Sequence, residues 1–281
     1  SDGYPWGIWK PLNVVTFTGV AAGAYGTGLL CYIFNKGQYH PLVRPALLAS
    51  LFGYTLAGAS VIFDLGRWWN FWHIFWPGYA QVNSVMFEVA VCISAYIVVM
   101  WIEFSPAFLE KLGMKDVKQK LNKLLFFFIA LGVLLPSMHQ SSLGSLLVIF
   151  GQQIHPLWQS GWMLPVIYLM TAILLGFAVV IFEATLSSTG FDRPLETKVL
   201  TPLSRIMFWL LAAYVAVRVL DLVFRGALGT AFAATWQAFW FWIEMACFVA
   251  PLVLLSNEQA GRSAAKLFVG GDSGPAHIAS T

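Results

Sequence analysis

The segment "LLPSMHQSSLGSLLVIFG", residues 134 to 151, carries five polar side chains between positions 137 and 142 inside a strongly apolar run. The surrounding chain is almost free of charge, since Glu183 is the only formally charged residue between Lys123 and Asp192. Such a run predicts a helix that crosses a lipid bilayer. The polar residues in its middle then require partners or a purpose, because unpaired polar groups are costly in hydrocarbon.

The composition of the whole chain supports this interpretation. Of its 281 residues, 59% are hydrophobic and 10% are charged, and the mean hydropathy is +0.73. Soluble domains carry about 25% charged residues, so we predict an all-α integral membrane protein. The 13 Trp and 23 Phe fit aromatic belts at both membrane interfaces. We expect membrane lipid but no nucleic acid as a partner, and no signal peptide is predicted before the first apolar run.

Transmembrane spans need about 20 mostly apolar residues. Seven segments qualify, so a multi-span helical bundle is expected: residues 12–35, 44–64, 82–104, 122–149, 162–186, 203–224 and 233–255. Pro136 predicts a kink in the fourth span. Gly19 and Gly23 recur at an interval of four, as do Ala49, Gly53 and Ala57, a spacing that lets helices approach closely in lipid.

The distribution of Lys and Arg predicts the orientation of the spans. The first, third and fifth loops and the tail are rich in these residues, whereas the second and sixth loops have one Arg each and the fourth has none. Cytoplasmic loops carry an excess of Lys and Arg. We therefore expect the odd loops and the C-terminus of this chain on the cytoplasmic side, and the even loops outside.

A weak internal repeat relates two parts of the chain. Asp64 and Glu88 recur as Asp221 and Glu244, at offsets of 157 and 156 residues. Each pattern has an Asp followed by Arg at the external end of one span and a Glu within the next. The repeat suggests two related helical bundles, an arrangement that membrane redox proteins and transporters both use.

Ionisable residues inside spans are candidates for function, because each costs at least about 2.5–3.5 kcal/mol to insert. Glu88 has no cation at i±3 or i±4 in its own span, which favours a proton carrier or a ligand contact. Glu183 lies near the cytoplasmic end of the fifth span and Tyr54 in the middle of the second. For Arg218 and Asp221 we predict a structural pair on one helix.

His139 is the central residue of the opening segment. A neutral imidazole is tolerated at depth and can donate to or accept from a quinone carbonyl. A haem ligand is the competing interpretation, but the other four histidines fall in loops or the tail, and no C-x-x-C motif indicates an iron–sulfur cluster or a thiol zinc site. Ser137 and Ser141 are expected to bond backbone carbonyls freed by Pro136.

Seven motifs, one of them part of the opening segment, carry a resemblance to a known family. They are "PWGIWKPLNVVTFTGVAAGAYG", "FNKGQYHPLVRPALLASLFGY", "DLGRWWN", "NSVMFEVAVC", "LLPSMHQSSLGSL", "HPLWQS" and "VIFEA". Together they resemble the integral membrane subunits of the polysulfide-reductase (NrfD/PsrC-type) family, above all those of hydrogenase-2-type NiFe hydrogenases. The resemblance is dense over residues 4–186 and looser to about 255.

This resemblance implies a fold and a function. Family members form two four-helix bundles, here a first bundle over 1–150 with the quinone pocket, a partial second bundle over 151–256 and a polar tail over 257–281. They hold no haem or iron–sulfur cluster of their own and pass electrons from an external ferredoxin-like iron–sulfur subunit to menaquinone or ubiquinone. The hydrogenase branch implies NiFe hydrogenase small and large subunits as partners, the inner membrane as location, and a quinone side that faces the periplasm.

The resemblance also implies roles for individual residues in a quinone-reducing membrane subunit. Proton transfer falls to Glu88, Glu183 and Tyr54, and the quinone is bound by His139, Asp64, Arg67 and Gln140. Family members of the hydrogenase type usually have one more span before the "PWG" motif and others after the seventh, so we expect a truncated second bundle. Three alternatives stay open: a secondary transporter, a haem b electron carrier and a passive anchor.

Overall fold

The computed structural model describes residues 9–63, 65, 67–190 and 197–256, and within these ranges it contains helices and no strands. This confirms the predicted all-α membrane architecture. The α-helices are α1 (Trp9–Val20), α2 (Gly23–Gly28), α3 (His40–Phe63), α4 (Val85–Lys111), α5 (Lys115–Ile149), α6 (Leu164–Gly190), α7 (Thr197–Phe224) and α8 (Trp236–Ser256).

Short helical segments fill the connections. A π-helix, Leu29–Ile33, follows α2, and 3₁₀ segments occupy Gly37–Tyr39, Trp68–Phe75, Gly151–Gln153, Gly161–Met163 and Leu228–Phe232. Because short connections reverse the chain between consecutive spans, helix ends gather at two faces. We call the face where α3 and α5 begin and α4 ends the lysine face. The opposite face, which carries Trp68–Phe75, is the aromatic face.

Six helical segments of the described chain are long and apolar enough to cross a membrane. They are Gly37–Phe63, Val85–Lys111, Lys115–Ile149, Gly161–Ser188, Lys198–Phe224 and Trp236–Ser256. The predicted first span, 12–35, is instead interrupted between α1 and α2 and ends in the π-helix. The predicted number of seven spans is thus approximate.

The interruption lies where the chain is pressed between two other helices. Ala21 and Ala22 are fully buried there. A Cβ on Gly53 of α3 would lie 2.6 Å from the Ala21 Cβ, and one on Gly176 of α6 would lie 2.6 Å from the Ala22 carbonyl oxygen. The close approach predicted at Gly53 is therefore confirmed. Its partner is Ala21, in the interruption between α1 and α2.

Helix α6 lies at the centre of the packing. It contacts α1, α2, α3 and α5 on one side and α7 on the other, while α8 packs against α7. Helices α4 and α5 share the most extensive pairing. These contacts hold α3, α4 and α5 together around the polar segment of α5.

Helix α5 has 35 residues and a length of about 52 Å, so it extends beyond a bilayer core of about 30 Å. Pro136 lies within it and removes the hydrogen bond to the Gly132 carbonyl. The Ser137 hydroxyl donates to the Val133 carbonyl at 2.7 Å, and that of Ser141 to Met138 at 2.8 Å. Both serines bond backbone carbonyls as predicted, but neither reaches the carbonyl that Pro136 leaves free.

Gly144 of α5 offers a test of this packing. A Cβ there would lie 2.6 Å from the Pro165 Cα and 2.7 Å from the Leu164 carbonyl oxygen, both backbone atoms that cannot rotate away. We expect Gly144→Ala to lower the free energy of unfolding by about 1–3 kcal/mol, because overpacking separates α5 from α6. Titration with a denaturing detergent, followed by circular dichroism, measures it. Gly190→Ala, where nothing lies within 4 Å, is the control; equal stabilities would contradict the close crossing.

Candidate functional site

The polar segment of α5 meets α3 at a buried histidine. His139 is fully buried, and its Nε2 lies 3.2 Å from the Tyr54 hydroxyl of α3 and 3.2 Å from the Gln140 amide nitrogen. Its Nδ1 lies 3.3 Å from the Leu135 carbonyl oxygen, one helical turn earlier. The structure thus brings together Tyr54, His139 and Gln140, three of the residues predicted to form the site.

These distances define the proton arrangement of the ring. A carbonyl can only accept, so Nδ1 carries the hydrogen and donates it to Leu135. Nε2 is then an acceptor, and it has one lone pair for two donors, the Tyr54 hydroxyl and the Gln140 amide. The imidazole is neutral in this arrangement, with a spare donor beside it.

Tyr96 of α4 extends the cluster toward the lysine face. Its ring meets that of Tyr54 edge to face, with centroids 4.7 Å apart and planes at 89°. Both tyrosines are essentially inaccessible to solvent. Three helices therefore supply one continuous row of aromatic and imidazole rings, from His139 through Tyr54 to Tyr96.

Glu88 lies on the other side of His139, in the first turn of α4. Its Oε1 accepts a hydrogen bond of 2.8 Å from the Ser142 hydroxyl of α5. Glu88 also lines a cavity of about 370 Å³ at the start of α4, which we call the aromatic-face cavity. Its lining consists of Val82, Asn83, Ser84, Val85, Phe87, Glu88, Val91, Cys92 and Met138.

The aromatic-face cavity borders the histidine cluster without including it. Met138 lines the cavity, whereas the adjacent His139 is closed off within the protein. Arg67 is exposed and lies outside this lining. Asp64 lies outside the described residues. Among the described residues predicted for the site, Tyr54, His139 and Gln140 are therefore in contact and Glu88 lines the neighbouring cavity, whereas Arg67 lies outside its lining.

A larger cavity of about 610 Å³, the lysine-face cavity, lies between α2, α3, α4 and α5. His40, Arg44, Glu110 and Lys118 line its outer part, where the Lys118 ammonium bonds the Glu110 carboxylate at 2.9 Å. Its other lining residues include Tyr96 and Glu103. The cavity therefore extends from the charged residues at the lysine face to Tyr96, the last ring of the tyrosine row.

Glu103 is a candidate that the sequence analysis missed. Its Oε1 is buried and has no hydrogen-bond partner within the described chain. A Cβ on Gly132 of α5 would lie 2.5 Å from that oxygen, so the glycine provides the space for the carboxyl group. The predicted third span ended at residue 104, whereas α4 continues to Lys111. Glu103 thus lies two turns inside the helix, and its burial becomes visible only with the correct helix end.

Glu183 lies apart from these groups. It is half-buried on α6, seven residues before the end of that helix, and outside the linings of both cavities. The structure therefore connects Glu103, rather than Glu183, with the tyrosine row.

A second polar cluster joins α7 and α8. The predicted pair of Arg218 with Asp221 is wrong there. Arg218 does not pair with Asp221: its guanidinium lies 3.6 Å from Glu244 and donates to the Ser160 hydroxyl at 3.0 Å. Asp221 pairs with Arg225 at 2.6 Å. The pairing across helices prevails because Arg218 is buried, with a side-chain exposure of 3%, and a buried guanidinium must be neutralised where it lies.

Comparison with known proteins gives this geometry a context. The family model described as polysulphide reductase, NrfD, matches residues 1–270. The chain belongs to the NrfD family of integral membrane proteins.

Three relatives show the range of this family. The chain is 47% identical to the "probable Ni/Fe-hydrogenase 2 b-type cytochrome subunit" of Escherichia coli over 271 residues, 96% of this chain and 69% of the relative. It is 28% identical to the "menaquinone reductase, integral membrane subunit" of Nitratidesulfovibrio vulgaris over 162 residues, 54% of this chain and 37% of the relative. A further protein of N. vulgaris is 33% identical, and the chain spans 65% of its length.

The name of the E. coli relative raises the question of a b-type haem. His139 is the buried histidine of the described chain, and both of its ring nitrogens face hydrogen-bonding partners within the protein. A haem iron needs a free imidazole nitrogen. The His139 environment therefore does not fit an axial haem ligand.

The shared lone pair of His139 gives a test of the buried cluster. Either donor alone satisfies Nε2, so Tyr54→Phe and Gln140→Met should each lower the free energy of unfolding by less than about 1 kcal/mol. The double variant leaves the nitrogen unpaired and should cost about 1–3 kcal/mol more than the sum of the two. Detergent-induced unfolding of the four proteins measures this coupling. Strictly additive losses would show that the two donors do not share the acceptor.

Proposed function

We propose that this chain is the quinone-reactive membrane subunit of a respiratory oxidoreductase, an uptake NiFe hydrogenase. It passes electrons from an external iron–sulfur subunit to menaquinone or ubiquinone. The main support is the aromatic-face cavity, whose lining includes Glu88 and also Met138, the residue before the buried His139. The names of the hydrogenase and menaquinone reductase relatives support the same class of reaction.

The chemistry explains why such a cavity needs titratable walls. Reduction of a quinone to a quinol takes up two electrons and two protons. One proton binds to each carbonyl oxygen. The electrons come from the partner subunit, and the protons must come through the protein because the bilayer supplies none. Glu88 is in place to give a proton to a quinone oxygen in the cavity. Met138 and the apolar side chains of the lining hold the ring away from water.

His139 acts behind the cavity wall in this proposal. Its neutral ring, with Tyr54 and Gln140 as neighbours, can pass a proton by exchanging donor and acceptor nitrogens. We also retain the expectation that Gln140, Asp64 and Arg67 orient the quinone head, with Arg67 stabilising negative charge on a reduced quinone. That part is supported by the sequence resemblance alone, because the cavity lining includes neither Gln140 nor Arg67.

A proton route toward the lysine face follows from the packing. Glu103 faces the lysine-face cavity and has an oxygen without a hydrogen-bond partner, which suits a carboxyl group that exchanges protons with water there. Tyr96, which lines the same cavity, touches Tyr54, and Tyr54 reaches His139. We propose this row as the inward route, with Glu183 as a second carboxyl group on the same half of the membrane.

The proposed location follows the charge bias of the loops. The chain is a multi-pass membrane protein, and we place it in the inner membrane with the aromatic face toward the periplasm. The external iron–sulfur subunit then docks at the aromatic face, together with the small and large hydrogenase subunits. This arrangement takes electrons and quinone at one face and protons at the other.

The proposed function is tested by variants of the two central residues. We expect Glu88→Gln and His139→Ala to reduce hydrogen-dependent quinone reduction in membranes by about 10²-fold, because general acid–base catalysis contributes about 10²–10⁴. Asp116→Asn, which removes an exposed carboxylate at the start of α5, is the control and should leave the rate unchanged. Undiminished rates in both variants would remove the assignment.

Three further observations separate this function from the alternatives. A secondary transporter purifies without an iron–sulfur protein and a large metalloenzyme subunit, whereas the proposed subunit carries both with it. A passive anchor is insensitive to inhibitors that resemble quinones. A haem b carrier shows a Soret band in the purified subunit, matched by its iron content.

The inward proton route makes a separate prediction at Gly132. Gly132→Ala forces the Glu103 carboxyl group to move, since the new Cβ would lie 2.5 Å from its Oε1. We expect quinone reduction to slow by about tenfold, because displacement of a proton-transfer group by 1 Å can cost up to 10² in rate. Gly28→Ala is the matched control: Gly28 lines the same cavity, and its nearest neighbour would be Val133 at an ordinary 3.4 Å. Equal rates in the two variants would exclude Glu103 from the route.

A further inference from the structure

One serine hydroxyl of α5 behaves differently from its neighbours. Ser137, Ser141 and Ser145 all donate to carbonyl oxygens of their own helix, Val133, Met138 and Ser141 respectively. Ser142 instead donates across to α4, where it bonds the Glu88 Oε1 at 2.8 Å. A serine in a transmembrane helix satisfies itself most simply on its own backbone, so this bond between helices is a specific feature.

Ser142 and Glu88 differ in their exposure. Ser142 is buried, with an exposed fraction of 6%, whereas the Glu88 side chain lines the aromatic-face cavity. The hydroxyl therefore holds the carboxyl group from behind. A Glu side chain has three rotatable bonds and would otherwise lose its orientation toward the cavity.

We propose that Ser142 is the positioning residue of Glu88, which holds the carboxyl group so that Oε2 is the oxygen available to the quinone. This inference rests on the proposed function and adds a residue to it. The bond serves both protonation states. An ionised carboxylate accepts the Ser142 hydrogen at Oε1, and after protonation the hydrogen bond keeps Oε1 as acceptor, so the new proton resides on Oε2 and faces the cavity.

The substitution Ser142→Ala removes the hydroxyl with almost no change in packing. In the intact complex, with hydrogen as electron donor and a short-chain menaquinone as acceptor, we expect kcat to fall about tenfold and KM to change less than twofold, since orientation is lost but the cavity is not. Ser145→Ala, which removes a hydroxyl one turn further along α5, is the matched control and keeps the original rate. Ser142→Thr retains the donor and should keep kcat within twofold, even if the Ala variant assembles poorly.

A double-mutant cycle shows whether Ser142 acts through Glu88. In the Glu88→Gln background, Ser142→Ala should change kcat by less than twofold, because the group that it positions is already gone. Independent losses that multiply would overturn the inference. An equal loss in Ser142→Ala and Ser142→Thr would do the same, since it would indicate packing rather than the hydroxyl.

Infrared difference spectroscopy gives a readout apart from the rate. The carboxyl band of Glu88 is identified by its absence in Glu88→Gln, and it should shift in Ser142→Ala but not in Ser145→Ala. If Glu88→Gln and His139→Ala both retain full activity, the proposed function itself fails. If Glu88→Gln is impaired while Ser142→Ala keeps the control rate and an unshifted band, only the positioning role fails.

Discussion

Polar groups inside a bilayer must find their partners within the protein, and that requirement organises this structure around α5. The helix carries a histidine, a glutamine and four serines in the half toward the aromatic face, and all six have hydrogen-bond partners within the protein. His139 is satisfied by α3 through Tyr54, and Ser142 by α4 through Glu88. These two hydrogen bonds link the polar segment of α5 to both neighbouring helices, beside the aromatic-face cavity that Glu88 lines.

The residues between the two cavities determine how the cavities are separated. The aromatic-face cavity ends at Glu88 and Met138, and the lysine-face cavity ends at Tyr96 and Glu103. The material that separates them is the Tyr54–His139 pair and its neighbours, which are closely packed and fully buried. In the proposed function, protons cross this region along the row of rings from Tyr96 through Tyr54 to His139, and its close packing keeps the quinone away from water at the lysine face.

Much of this could be predicted from the sequence, because hydropathy and isolated charges are local properties. The apolar runs predicted the long helices, and a lone histidine and glutamate in those runs marked two of the candidate residues. Contacts between helices could not be predicted in the same way. Arg218 has an acid three residues away on its own helix, yet it turns to Glu244 on α8, and Glu103 became a candidate only when α4 proved to continue beyond residue 104. Both depend on where helices end and which faces meet.

The two Asp-and-Glu patterns of the sequence show why similar residues need not do similar work. Glu244 faces an arginine and accepts hydrogen bonds from Trp158 and Tyr214, so its oxygens are occupied and its charge is neutralised by Arg218. Such a carboxylate joins helices, since little capacity is left for a ligand. Glu88 receives one hydrogen bond from an uncharged donor and faces a cavity. The difference in partners, rather than the shared spacing, is the physical ground on which quinone chemistry is proposed for α4 and α5 and not for α7 and α8.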